Sequence, residues 1–84
     1  MKCYRIGRGQ ACDIRFDDKA VSRRHAEIVI TAKRTLFVTD CQSTHGTFVY
    51  RNNAWASVRQ AFIEPHERLK FGTLEITASE LVRS

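Results

Sequence analysis

The apolar residues of this chain alternate. In HAEIVIT, Ala26, Ile28 and Ile30 share one parity; in LFVTD it is Leu36 and Val38. RLKF repeats the pattern with Leu69 and Phe71, and TLEIT with Leu74 and Ile76. A period of two in short runs rich in Ile, Val, Thr and Phe builds β-strands that bury one face. Strands are expected near 3–7, 13–16, 25–32, 35–39, 47–50, 55–59, 61–64, 68–71 and 73–78. SVRQAFIE could pass for a short helix ended by Pro65, but the strand reading is preferred. Many short strands at this spacing argue for an all-β sandwich or barrel.

The polar segments between the strands are turns. Gly7 and Gly9 bracket Arg8, FDDKAVS and CQSTHG are longer connections, AKRT is a tight turn, and HE precedes the last strand pair. RNN joins two strands with asparagine, which tolerates the left-handed backbone of hairpin turns. Hairpin logic then fixes an edge. VSRRH enters the strand at 25–32, AKRT turns at its far end, and the next strand returns to CQSTHG. VSRRH and CQSTHG therefore lie together, opposite AKRT.

Bulk properties narrow the function. The 84 residues suit one domain, which buries only about 60–65% of its unfolded surface. Hydrophobic residues at 43% and charged residues at 27% fit a folded chain rather than a disordered one. No apolar run reaches the ~20 residues of a membrane span, and MKCYRIGRG lacks a signal-peptide core, so a cytoplasmic location is the default. Net charge +5 favours anionic partners: nucleic acid, anionic lipid or phosphorylated protein. Cys3, Cys12 and Cys41 fit neither a disulfide framework nor a zinc site, and read as reduced thiols. No metal or cofactor is expected.

Three loops concentrate donors: IGRG (6–9), VSRRH (21–25) and STHGTF (43–48). Gly7-Arg8, Asp13-Ile14, Ser22-Arg23-x-His25, Asp40, Ser43-Thr44-x-Gly46-Thr47-Phe48-Val49 and Leu69…Phe71-Gly72 follow one another over nearly the whole chain. In order and spacing this set resembles a forkhead-associated (FHA) domain. The resemblance implies an all-β fold, a two-sheet antiparallel β-sandwich (SMAD/FHA-like), here in a minimal version with a short N-terminus. It also implies that loops at one edge bind phosphothreonine in an extended peptide. The chemistry agrees. A phosphate monoester carries about −1.5 to −2 charges and three strong acceptor oxygens, and charge-assisted bonds to arginine are roughly twice as strong as neutral ones.

Each matched position has an ordinary reading beside the implied one. Arg8 matches the phosphate-binding arginine; otherwise it is a solvated charge at a turn. Ser22 matches a serine whose hydroxyl bonds the phosphate, and could also serve its own turn. Arg23 matches a position touching the peptide main chain or the phosphate. Arg24, one residue on, is expected on the other face if the strand period already applies there, as a surface charge that raises the local potential. Thr44 matches a residue that helps hold the phosphate. His45 departs from the family's usual asparagine, which bonds the peptide main chain; a neutral imidazole keeps one donor and one acceptor. Gly7, His25, Asp40 and Gly46 are expected to support the site, with His25 a satisfied buried group tying loops together. Thr47 is expected to brace a loop, and Phe48, Trp55, Leu69 and Phe71 to be core.

Only Met1 to Arg5 precede the Ile-Gly-Arg segment, where family members usually have a further strand. A missing strand would leave a neighbouring edge unpaired. The expectation is one FHA domain over 1–84, excised from a larger protein or minimal, as a monomer or an edge-paired dimer. The expected partner is a phosphothreonine-containing protein or peptide, the target of a serine/threonine kinase, with no specific nucleic acid and no membrane. The rival is a divergent FHA domain that binds without phosphorylation through a sheet face or edge. Catalysis is not expected: Ser22 and His25 span a loop-to-strand junction, and no Gly-x-Ser-x-Gly elbow is present.

Overall fold

The computed structural model describes residues 2–31 and 33–82. In chain order the elements are β1 (Lys2–Gly7), β2 (Ile14–Arg15), β3 (Ala26–Ile30), β4 (Leu36–Asp40), β5 (Thr47–Arg51), β6 (Ala54–Ser57), β7 (Gln60–Ile63), β8 (Arg68–Phe71), β9 (Leu74–Thr77) and α1 (Ala78–Leu81). Every expected strand is present, each end within two residues of its expected place. Ala32, the last position of the expected third strand, lies outside the described residues.

The strands form two sheets, ordered β2-β1-β3-β4-β7 and β6-β5-β8-β9. This is the expected two-sheet sandwich. All neighbours are antiparallel except β1 and β2, which run parallel through Ile6–Ile14 and Gly7–Arg15. SVRQAFIE is not a helix. It carries the chain from one sheet to the other: β6 ends at Ser57, Val58 N–H donates to the Thr47 carbonyl, and the Arg59 carbonyl accepts from Asp40 N–H. The second sheet ends on β9, with no described strand beyond it.

Register decides which side chains meet in the core. In the first sheet Ile28 pairs with Val38, and Ile30 with Leu36, which pairs in turn with Ile63. In the second, Val49 pairs with Leu69, which pairs with Ile76. Ile6, Ile28, Leu36, Val38, Ile63, Leu69 and Phe71 are fully buried between the sheets. The same parity turns Phe48 and Trp55 outward, correcting the expectation that both are core. Thr47 and Val49 take the inward positions of β5, so Phe48 and Tyr50 face out. There the Lys70 ammonium lies 4.9 Å from the Phe48 ring centre and 4.6 Å from that of Trp55. A cation over an aromatic face covers apolar surface without burying it between the sheets.

Two features at the far end of the sandwich have no alternation to announce them. The Asn52–Asn53 turn has φ of 53° and 63°, the pair of left-handed residues a tight hairpin requires. Helix α1 docks through Ala78 N–H to the Glu67 carbonyl and Ser79 N–H to the Pro65 carbonyl, and buries Ala78 and Leu81. The same 64–67 segment is held by Glu67, which pairs with the Arg51 guanidinium at 2.6 and 2.8 Å.

Candidate functional site

Three loops far apart in sequence are joined at one edge of the sandwich. Arg8 follows β1, Ser22 and Arg23 precede β3, and Thr44 and His45 precede β5. The first two loops are laced by backbone: Arg8 N–H donates to the Ser22 carbonyl at 3.0 Å, and Gly9 N–H to the Arg23 carbonyl at 3.1 Å. This approach explains Gly7, where a Cβ would sit 2.2 Å from the Arg23 carbonyl oxygen. Such a contact is impossible, so a side chain there would push the second loop away. The third loop joins through Thr44 N–H, which donates to Ser22 Oγ at 3.0 Å.

His25 is the tie between these loops. It is fully buried and edge-on to Phe71, with ring centres 5.6 Å apart. Its Nδ1 accepts from Ser22 N–H at 2.9 Å. That requires the Nε2–H tautomer, and Nε2 donates to the Gly46 carbonyl at 2.8 Å. One imidazole thus fixes the second loop against the third. Gly46 has φ of +88°, a conformation that favours glycine. Its carbonyl also accepts from Gly72 N–H at 2.9 Å, tying the β8–β9 turn to the same point.

Asp40 folds the third loop. It ends β4 in register with Ala26, so its side chain falls on the inward parity. One carboxylate oxygen accepts from the hydroxyls of Ser43 and Thr47, and the other from Ser43 N–H at 3.1 Å. Ser43 Oγ accepts in turn from Gly46 N–H at 3.0 Å. The sequence reading assigned no role to Ser43. Its signal was available, since a serine three residues after an aspartate can close a local side-chain turn.

The protonation states follow from these contacts. Burial lowers the His25 pKa below its ordinary 6.5, and the nearby His45 adds to this; the Gly46 bond and the Asp40 charge oppose it without prevailing. For Asp40, burial pushes the carboxyl up. The hydroxyls of Ser43 and Thr47 and the Ser43 amide outweigh it, holding the carboxyl below its ordinary range. Both shifts point the same way for stability. Below pH 6.5 an unfolded chain protonates its histidine while the folded chain resists, so the unfolded state binds more protons. The His25 contribution is complete above that pH and is lost as pH falls toward the folded pKa. The Asp40 contribution is lost at still lower pH. A urea midpoint is therefore expected to fall between about pH 7.5 and about pH 5. A flat or rising midpoint over that span would contradict the neutral, bridging imidazole.

Around this framework several donors remain available. Arg8 is half-buried, and its Nε donates to the Val21 carbonyl at 3.1 Å, which aims the guanidinium. Among the described residues no protein group accepts from its two terminal nitrogens. Ser22 Oγ accepts from Thr44 N–H, which leaves the hydroxyl proton able to donate elsewhere. Arg23, Thr44 and His45 are exposed at the same edge. Arg24 is exposed as well, and Arg15, unremarked in the sequence, donates from Nε to the Arg8 carbonyl at 3.0 Å. The edge offers charged and neutral donors from three loops, which is what a tetrahedral anion on a peptide needs.

Comparison with known proteins identifies the family and agrees with the fold. The family model "FHA domain" matches residues 4–72. The Arabidopsis thaliana FHA domain-containing protein PS1 is 37% identical over 79 residues, covering 93% of this chain and 4% of the relative. The chain thus spans a small fraction of that protein's length. Among solved structures, the FhaA FHA domain complexed with the intracellular domain of Rv3910 superposes with a TM-score of 0.73 at 36% identity, over 87% of this chain and 75% of that one. An FHA domain from a study of phosphothreonine-dependent FHA domain interactions superposes with a TM-score of 0.77 at 36% identity, over 89% and 73%. With the motif set, the two-sheet fold and the family model in agreement over most of its length, this chain belongs to the FHA domain family.

Proposed function

We propose that this domain binds phosphothreonine-containing peptides and so mediates phosphorylation-dependent association with a partner protein. The observation that carries the reading is the pairing of Arg8 and Ser22. An aimed guanidinium with its terminal nitrogens available stands beside a hydroxyl whose proton is available, both fixed to one backbone. In this reading Arg8 and Ser22 grip the phosphate and Thr44 assists. Arg23 and His45 contact the peptide main chain. Gly7, His25, Asp40 and Gly46 hold the loops in place. The role is recognition and not catalysis. The partner is the product of a serine/threonine kinase.

Fluorescence anisotropy with a degenerate phosphothreonine peptide pool and its unphosphorylated twin tests this. Saturable binding of the phosphorylated pool alone is expected. Equal binding of both pools would sink the reading and favour a partner held through a sheet face or edge. Phosphothreonine is further expected to bind more tightly than phosphoserine. A methyl group in a fitted pocket is worth about 1–3 kcal/mol, or roughly 5- to 150-fold. Equal affinity for the two would remove the methyl from the recognition.

A further inference from the structure

Five arginines converge beside the proposed phosphate position. Arg5, Arg8, Arg15, Arg23 and Arg24 line one groove of about 660 Å³, against a single carboxylate-bearing residue, Asp17. They come from three places in the sequence: the parallel β1–β2 pairing sets Arg15 beside Gly7, and the β1–β3 pairing with the Gly9–Arg23 backbone bond brings up Arg23 and Arg24. Among the described residues none of the five makes an ion pair with a carboxylate. The ion pairs that are formed, Arg51–Glu67 and Arg68–Glu75, lie elsewhere. Two further carboxylates lie beside Arg5: Asp13 accepts from its backbone N–H, and Glu27 pairs with it in register across β1 and β3.

Guanidinium charge in excess of nearby carboxylate charge repels itself, and an anion placed among the arginines relieves that repulsion. The groove lies within the ~300–1,000 Å³ typical of small-ligand sites, which exceeds what one phosphate fills. Arg8 and Arg23 border the groove from the proposed phosphate site. Arg5, Arg15 and Arg24 have no part in that site's contacts with ligand. The groove is therefore continuous with the first anion position and carries guanidinium charge beyond it.

We propose that this groove is a second phosphate subsite, so that the preferred ligand is a peptide phosphorylated twice, once on the threonine and once on a neighbouring residue. The inference rests on the phosphothreonine reading above and extends it. A phosphate suits the groove better than a carboxylate does. It carries more charge, and its tetrahedral oxygens accept from several guanidinium groups at once.

The test compares a phosphothreonine peptide with a series bearing a second phosphorylated residue, stepped one position at a time to either side. At one or more positions the doubly phosphorylated peptide is expected to bind about tenfold or more tightly, the worth of one good charge-assisted contact. The double variant Arg5→Gln/Arg24→Gln is expected to lose most of that gain while binding the singly phosphorylated peptide as the parent does. Lys33→Gln/Arg34→Gln, which removes equal charge at the opposite end, is expected to keep the gain. A gain at no position would overturn the subsite and leave the first reading standing. A gain lost equally in both double variants would overturn it in favour of diffuse attraction. A glutamate at the best position that recovers the whole gain would overturn the assignment to phosphate. Binding of neither singly nor doubly phosphorylated peptides would overturn both readings together.

Discussion

Arg8→Ala is expected to weaken phosphothreonine-peptide binding by at least about thirty-fold while leaving the fold intact. Truncating one partner of a hydrogen-bonded charge pair costs about 2–5 kcal/mol, and each 1.4 kcal/mol is tenfold. The fold should tolerate the change because the contacts that lace this loop are made by backbone. Arg8 N–H still reaches the Ser22 carbonyl, and Ile6 and Gly7 stay in place. The protein loses the bond from Nε to the Val21 carbonyl, worth about 1 kcal/mol. Arg8→Lys should recover only part of the affinity, since an ammonium cannot hold the Val21 carbonyl and present a planar fork as well. Anisotropy titration beside a thermal melt separates the two effects. An Arg8→Ala protein that binds within about threefold of the parent would remove Arg8 from the phosphate site.

The second large effect is on stability. His25→Ala opens a cavity beside Phe71, strips the Ser22 amide of its acceptor and leaves the Gly46 carbonyl with the Gly72 amide alone. A buried polar group left unpaired costs about 1–3 kcal/mol and a large-to-small change in a core about 2–5 kcal/mol, so the amide and the cavity together cost roughly 3 kcal/mol or more. In a domain of this size about 1 kcal/mol moves Tm by about 4–8 °C, so a fall of at least about 12 °C is expected. With total stabilities of about 5–15 kcal/mol, some preparations would be partly unfolded at working temperature. A fall of less than about 5 °C in calorimetry would mean that the loops hold one another without the imidazole.

Strands were legible in the sequence because burial on one face forces alternation, and Ile28–Val38 or Leu69–Phe71 could hardly sit otherwise. Residue type misled where position decides. Phe48 and Trp55 are aromatic, but register sends them to the outer face beneath Lys70. Helix α1 is four residues long, too short for any period to appear. The meeting of Arg8, Ser22 and Thr44 at one edge was legible through an ordered motif set. The network behind them was not, because it depends on Asp40 falling on the inward parity of β4 and so meeting Ser43 and Thr47. The five-arginine groove was hidden for a related reason. Arg15 joins Arg5 through a parallel pairing two residues long, and Arg5 meets Arg24 through the β1–β3 pairing; local patterning does not encode such contacts.

The Ser22 amide, whose acceptor is an imidazole nitrogen, has a use beyond holding a loop. Its proton and nitrogen resonances depend on the lone pair of His25 Nδ1, and they would move when acid occupies that lone pair. In the proposed function the hydroxyl of the same residue bonds the phosphate, so the resonances would move again, in a separate titration, when phosphate arrives. A single cross-peak would thus record both the integrity of the brace and the occupancy of the pocket, with no label attached to the protein.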